Sequence, residues 1–279
     1  MAFILLVLLF LGITLLKKQD ATEVSGPEIT SYSSQGKERI KAFWAHYYLA
    51  TDHRIAGDWE QAAIAYEKAL EINDQHEDAL YYLGNMYLEL NRSEDAKENW
   101  TRLVELNPQS ARGHFQLGNL YLSDPLFNIQ LAEKEFNRSM EINKEETGAL
   151  LRLGQVYLLK GQVEEAQSYF NAVIGSNFKS IEAHILAGYL AWKREDEQKA
   201  KEMFRNAWKY AKDDLSPKEV LGEGDTKGGK SFERPIARDL FHAFIQPLPK
   251  ISEERLFQEM NNIYQDLDKY LIEMKRKIN

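Results

Sequence analysis

The stretch of this chain whose spacing matches a known chemical motif is GDTKGGKS, residues 224–231. It fits the phosphate-loop pattern G-x-x-x-x-G-K-[ST]. In such a loop, opening here at Gly224, backbone N–H groups cradle phosphates, Lys230 meets the terminal phosphates and Ser231 meets magnesium. The chemistry needs a buried parallel strand before the loop and a helix after it. Lys218, Glu219, Val220 and Leu221 make too short and polar a strand, and Pro235 interrupts the segment after the motif. A nucleotide-binding enzyme is therefore the lesser reading. An ordinary glycine-rich loop over residues 213–234 is the leading one, with no nucleotide and no cofactor expected.

Nothing else converges on chemistry. His46, His114 and His184 stand 68 and 70 residues apart and are read as partly buried packing residues, not metal ligands. The absence of cysteine removes disulfides and thiolate chemistry. A net charge of −8 argues against a nucleic-acid partner. Asn91, Asn99 and Asn137 head N-x-[ST] triplets, taken as chance.

The elements that would position any site announce themselves by repetition. Ala50, Gly84, Gly118, Gly154 and Gly188 lie 34, 34, 36 and 34 residues apart. Ala62, Ala96, Ala132, Ala166 and Ala200 keep the same beat, and an aromatic follows each by four: Tyr66, Trp100, Phe136, Phe170 and Phe204. Apolar residues at i, i+3 and i+4 on either side of a polar break make each unit two helices. In the second unit the break is Asn91-Arg92-Ser93, and Pro108 stops the second helix because it lacks an N–H. The small residues mark where paired helices approach closely. A larger side chain there would cost on the order of 2 kcal/mol.

These residues resemble the tetratricopeptide repeat. The second unit fits it at Leu80, Leu83-Gly84, Tyr87, Ala96, Trp100 and Pro108, and the fourth at Leu153-Gly154, Tyr157, Ala166 and Phe170. The third carries two extra residues around Ser123-Asp124-Pro125, and His53 and Ala191 replace the usual tyrosine in the first and fifth. The resemblance implies an all-α, right-handed solenoid of about five repeats over residues 37–212. Fold analogy says little about function.

Residues 1–16, MAFILLVLLFLGITLL, hold no charge and twelve Leu, Ile, Val or Phe. Insertion of such a segment gains roughly 4–7 kcal/mol, and sixteen helical residues span about 24 Å. Residues 1–18 are therefore expected to form a single-pass anchor, with a cleaved signal peptide as the alternative. Lys17 and Lys18 on its C-terminal side place the repeats in the cytoplasm, the periplasm being the other orientation. Residues 19–36 read as a flexible linker.

At the other end, residues 235–279 are expected to form a helical cap over the open end of the solenoid. Ser252 is its expected N-cap, and Leu256, Met260, Ile263, Leu267, Tyr270 and Met274 form a heptad seam. Phe257, Tyr264 and Leu271 widen the apolar face beyond a coil seam, which favours the cap over the alternative of a dimerisation coil or docking helix.

The resemblance also supplies a candidate site. In the family, positions 2, 5, 6, 9 and 12 of the first helices line an inner groove. Here these positions include Tyr47 and Tyr48; Tyr81, Tyr82 and Asn85; Phe115 and Asn119; Arg152 and Gln155; Tyr189 and Trp192. Aromatics offer contact area at low entropy cost, and amides bond a peptide backbone. The lysine with which one subclass grips a terminal carboxylate is replaced by Tyr47, Tyr81 and Phe115. The expectation is a non-catalytic, membrane-anchored scaffold for a protein or peptide partner. A periplasm-facing, chaperone-like subunit of export or cytochrome maturation is the alternative.

Overall fold

The computed structural model describes residues 34–214, 241–245 and 248–278. The apolar segment 1–16, the linker up to residue 33 and the GDTKGGKS motif lie outside the described residues. Among the described residues, no helix is long and apolar enough to cross a membrane. The chain divides into two units, Met1–Lys41 and Ala42–Asn279. In the first, residues 34–41 are helical and begin the helix Ser34–Ala56 (α1), so helix starts inside the stretch expected to be linker.

The second unit contains the rest of α1 and the repeats. α1 is followed by Trp59–Ile72 (α2), Glu77–Glu89 (α3), Ser93–Leu106 (α4), Ala111–Tyr121 (α5) and Ile129–Ile142 (α6). Thr147–Lys160 (α7), Val163–Ser176 (α8), Ile181–Lys193 (α9) and Glu197–Asp214 (α10) complete five helix pairs. From α2 onward, each second helix packs on the first helix of the next pair, giving a continuous stack. α10 runs past the expected end of the solenoid at residue 212.

Local chemistry sets the helix ends. Ser110, Asn128 and Ser180 accept from the backbone N–H three residues on, satisfying donors that the first turn leaves free. Within four of the five pairs the chain turns through one left-handed residue: Gly57, Asn91, Gly161 and Glu195, with φ of 78°, 58°, 79° and 61°. The third pair instead carries its extra residues between α5 and α6, where the Asp124–Pro125 peptide is cis. Glycine and asparagine suit the left-handed region, whereas Glu195 is strained there.

The small-residue ladder has a more specific cause than close helix approach. A Cβ on Gly84 would strike the Trp100 indole, and on Gly118 or Gly154 it would lie 2.6 Å or 2.5 Å from the Phe136 or Phe170 ring. Each glycine is the seat of the aromatic sixteen or eighteen residues later. The fifth repeat breaks this rule. A Cβ on Gly188 would meet Tyr264 Oη and lie 3.0 Å from Met203 Cβ, so a residue from far along the chain takes the seat.

Tyr264 belongs to Leu256–Ile278 (α12), which comes after the short helix His242–Ile245 (α11) and two 3₁₀ turns, Leu248–Lys250 and Glu253–Arg255. Ser252 caps the second of these turns, not the long helix, and its side chain makes no capping bond. α12 packs against α7 and α10 and buries Leu256, Met260, Tyr264, Leu267, Leu271 and Met274. The buried seam thus uses Tyr264 and Leu271 where a heptad reading placed Ile263 and Tyr270. The surface it meets is formed by several helices, not by one partner helix. The Trp208 indole N–H donates to Ile251 O at 3.1 Å and ties the segment before α12 to α10.

Two cores result. One runs from Ala50 to Leu120, and the other from Leu122 to Met274, with Tyr121 packed against both. The division falls in the third repeat, beside its extra residues.

Candidate partner-binding face

In the first two repeats the expected inner residues Tyr47, Tyr48, Tyr81 and Tyr82 join Trp44 and the fully buried Tyr66 in a chain of rings. Trp44 stacks on Tyr48 at 5.5 Å, and Tyr47 meets Tyr66 edge-on at 5.6 Å. Tyr66 stacks on Tyr82 at 6.0 Å, and Tyr82 meets Tyr81 edge-on at 5.3 Å. Trp44 is 39% exposed and Tyr48 60%, while Tyr47, Tyr81 and Tyr82 are half-buried. Burial first, with Tyr66 and Asp78 adding and Arg54 opposing, pushes the Tyr47 phenol up to about 12. Burial also pushes the Tyr66 phenol up, against the pull of Thr51 and Arg54. Two guanidinium groups lie over this surface: Arg54 is 4.4 Å from the Tyr82 ring centre and Arg112 is 4.6 Å from that of Tyr81. Arg112 is also ion-paired with Asp78.

The amides sit deeper. Asn85 is 7% exposed, and its Oδ1 has no hydrogen-bond partner. Gln116 donates to Tyr81 Oη at 3.3 Å, and Asn119 donates to Gln116 at 3.4 Å. Phe115 is half-buried and meets Phe136 edge-on at 5.8 Å. In the fourth repeat Arg152 donates to Gln155 at 2.8 Å with both side chains buried.

The fifth repeat holds its inner residues quite differently. Tyr189 Oη donates to Asp268 Oδ1 at 2.7 Å, and Trp192 Nε1 donates to Asn261 Oδ1 at 3.2 Å. Lys193 Nζ lies 3.0 Å from the same Asp268 carboxylate. Both acceptors are on α12. Burial of Asp268 opposes its ionisation, but Tyr189 and Lys193 outweigh it and hold the carboxyl below its ordinary value. Burial, then Asp268, push the Tyr189 phenol up. Tyr189 and Trp192 are thus engaged by the chain's own C-terminal helix, whereas Trp44 and Tyr48 of the first repeat stay exposed.

Tyr47, Tyr48, Tyr81 and Tyr82 lie near one another, as their repeat positions imply, but the same positions also hold Arg54, which sequence reasoning overlooked. The signal was there: position 12 reads Arg54, Leu88, Leu122, Leu158 and Trp192, and the arginine is the exception. The roles of Asn261 and Asp268 had no such signal, since nothing in a single helix names the surface it covers.

The histidines stay apart. His114 Nδ1 meets Glu135 Oε2 at 2.6 Å, and the buried His184 meets the carbonyl of Ser180 at 2.8 Å. Among the described residues no His, Cys, Asp and Glu group could hold a metal. Away from the inner face, a hollow of about 310 Å³ is lined by Glu67, Glu71, Tyr87, Asp95, Glu98 and Arg102, and Tyr87 donates to Glu67 at 2.5 Å.

Stacked helix pairs, three of them seating an aromatic of the second helix on a glycine of the first, define a helical-repeat scaffold with an inner face, and a scaffold of this kind works by binding. Comparison with known proteins specifies the repeat. Tetratricopeptide-repeat models match residues 43–76, 65–98 and 147–180, and a TPR-repeat model matches 84–124. The described chain is therefore an all-helical solenoid of tetratricopeptide type. No curated protein sequence matches the chain.

Among solved structures it is similar to YrrB, described as a TPR protein with an unusual peptide-binding site. Identity there is 22%, with 70% of this chain and 98% of that one covered and a TM-score of 0.52. It is also similar to MamA from Desulfovibrio magneticus RS-1, at 16% identity, 63% and 98% coverage and a TM-score of 0.56. PilF of Pseudomonas aeruginosa covers the most sequence of the three: 86% of this chain and 97% of its own, at 18% identity and a TM-score of 0.55. At these identities the likeness is one of fold.

Proposed function

We propose that this protein is a non-catalytic scaffold, anchored to a membrane through residues 1–16, whose inner face in repeats one to three holds a protein or peptide partner. The observation that carries the reading is the unequal treatment of one face. At its C-terminal end the chain covers the inner aromatics with its own helix, whereas Trp44 and Tyr48 remain exposed. Exposed aromatics grouped on a repeat scaffold are the usual anchors of a protein interface. The peptide-binding site ascribed to YrrB supports a peptide or protein ligand for this fold. The anchor rests on the uncharged apolar run, and the cytoplasmic placement on Lys17 and Lys18.

The test is capture from solubilised membranes with the full-length chain as bait, with partners identified by mass. A bona fide partner is lost with the double variant Trp44→Ala, Tyr48→Ala and kept with Phe178→Ala, an equally exposed aromatic at 61% that lies outside the inner positions. Equal loss with both variants would sink the groove reading. For the anchor, the protein should remain in the membrane pellet through alkaline washing and leave it when residues 1–18 are removed.

A further inference from the structure

The hollow away from the inner face opens between α2 and α4. The buried Leu70, Leu83, Tyr87 and Asn99 form its floor, and the exposed Glu71, Glu98 and Arg102 its rim. At equivalent positions later in the chain the protein fills the place itself. Tyr87 and Asn99 of the second repeat correspond to Tyr157 and Tyr169 of the fourth, where the two rings stack at 5.3 Å. In the third repeat the counterpart of Asn99 is Glu135, which meets His114 at 2.6 Å. Asparagine is the smallest of the three and leaves about 310 Å³ open.

The polar lining points to a cation. Asn99 is 7% exposed, and its Nδ2 donates to Asp95 O at 2.9 Å. Among the described residues nothing donates to its Oδ1, and unlike the sealed Asn85 Oδ1 this acceptor keeps contact with the hollow. Arg92 pairs with Asp95, Arg102 donates to the Asp74 carbonyl, and Glu67 accepts from the Tyr87 hydroxyl. Of the four carboxylates at the hollow, only Asp95 has an ion-pair partner among the described residues. Later junctions do not repeat this charge: Thr101 and Leu131 stand where Glu67 and Asp95 do, and Asn171 and Lys199 at the last junction. Grouped like charges without a counter-ion repel, and a buried acceptor without a donor is costly. An apolar floor ringed by acceptors suits an alkyl stem that ends in a cation.

We propose that this outer hollow receives an arginine side chain of a polypeptide partner. The stem lies along Leu70 and Leu83, and the guanidinium donates to Glu71, Glu98 and the Asn99 amide oxygen. Arginine suits the site better than lysine, because its planar head carries five donors for acceptors spread over α2 and α4, whereas an ammonium is a point charge. The site is separate from the inner face and does not rest on the groove reading above.

Random dodecapeptides displayed on phage, selected against the full-length chain in mild detergent, test this. The winners are synthesised with arginine, lysine or citrulline at the enriched position and measured by fluorescence polarisation. Arginine should be enriched. Citrulline, which keeps the shape and removes the charge, should weaken binding tenfold or more, and lysine should weaken it less. The exposed double variant Glu71→Gln, Glu98→Gln should weaken the arginine peptide as much as citrulline does, and the two losses should not add. Asn99→Tyr, which fills the hollow as Tyr169 fills its counterpart, should abolish binding. Melting curves monitor folding, and the double variant carries the test where Asn99→Tyr does not fold. Arginine winners indifferent to these variants would overturn the proposal, as would a selection that enriches no arginine. Winners lost with Tyr48→Ala but kept by the double variant would place the ligand on the inner face, overturning this site and leaving the groove reading standing. Spermidine is the remaining probe: saturable binding lost in the double variant, with no peptide selected, would make the ligand a free polyamine and overturn the polypeptide source.

Discussion

Tyr48 and Tyr189 occupy neighbouring inner positions of the first and fifth repeats, on helices built from the same pattern, and meet opposite fates. Tyr48 is 60% exposed among other rings, whereas Tyr189 is 4% exposed and hydrogen-bonded to Asp268. The difference does not lie in the repeats. It lies in α12, whose apolar seam closes the C-terminal end and completes the core there, while no described residue of the second unit does the same for α1. A solenoid buries each unit against its neighbours, so its ends are where apolar surface is left over. One end of this molecule is finished internally. At the other, Trp44 and Tyr48 stay exposed.

The contrast is challenged most severely by removing the ring that α12 inserts. Tyr264 is fully buried on Gly188, so Tyr264→Ala should cost about 3–5 kcal/mol in a denaturant titration, while Tyr48→Ala should stay within about 0.5 kcal/mol. Similar losses in the two variants would mean that the two ends do not differ as described. Because Tyr264 Oη is buried and unpartnered, Tyr264→Phe should leave stability unchanged or raise it.

Gly118→Leu comes next. Its side chain would collide with Phe136 at the division between the two cores, and the expected loss is about 1–3 kcal/mol. Hydrogen exchange should rise on both sides of the third repeat, and protection unchanged in one half would show that the cores are energetically separate.

Glu195→Gly should act in the opposite direction, raising stability by about 1 kcal/mol, because glycine enters the left-handed region without the Cβ penalty. The same exchange at Asn91 should gain less, since asparagine already tolerates that conformation. A melting temperature unmoved by Glu195→Gly would place the strain elsewhere.

The smallest effect concerns pH. Asp268 has a folded-state pKa below its ordinary 3.8, so its contribution to the docking of α12 is complete at neutral pH. It declines as pH falls below the ordinary value and is gone once the lowered value is passed. Trp192 fluorescence should report α12 loosening in that acid window, and Asp268→Asn should flatten the response. An identical acid transition in wild type and variant would remove Asp268 from the contact.

Much of the fold was legible in the residues. The 34-residue beat required one supersecondary unit per period, and each turn, cap and seated aromatic within a pair is a local consequence of residues close in sequence. Position 15 of the repeat, Gly57, Asn91, Gly161 and Glu195, could have been read as a left-handed turn from the first three residues alone. The inner aromatics of repeats one and two were equally readable, because a residue's place on a helix fixes the side it faces.

Period and single-helix geometry, both written in the residues, account for the five pairs, their breaks, the glycine–aromatic seats of the second, third and fourth pairs and the face on which Tyr47, Tyr48, Tyr81 and Tyr82 stand. Three contacts needed the folded chain: Tyr264 on its seat at Gly188, Tyr189 and Trp192 held by α12, and Arg54 over Tyr82 without a carboxylate. Each joins residues tens of positions apart. An apolar seam specifies that a helix will be buried, but the hydrophobic effect has no direction, and the surface that buries it exists only once the repeats have stacked.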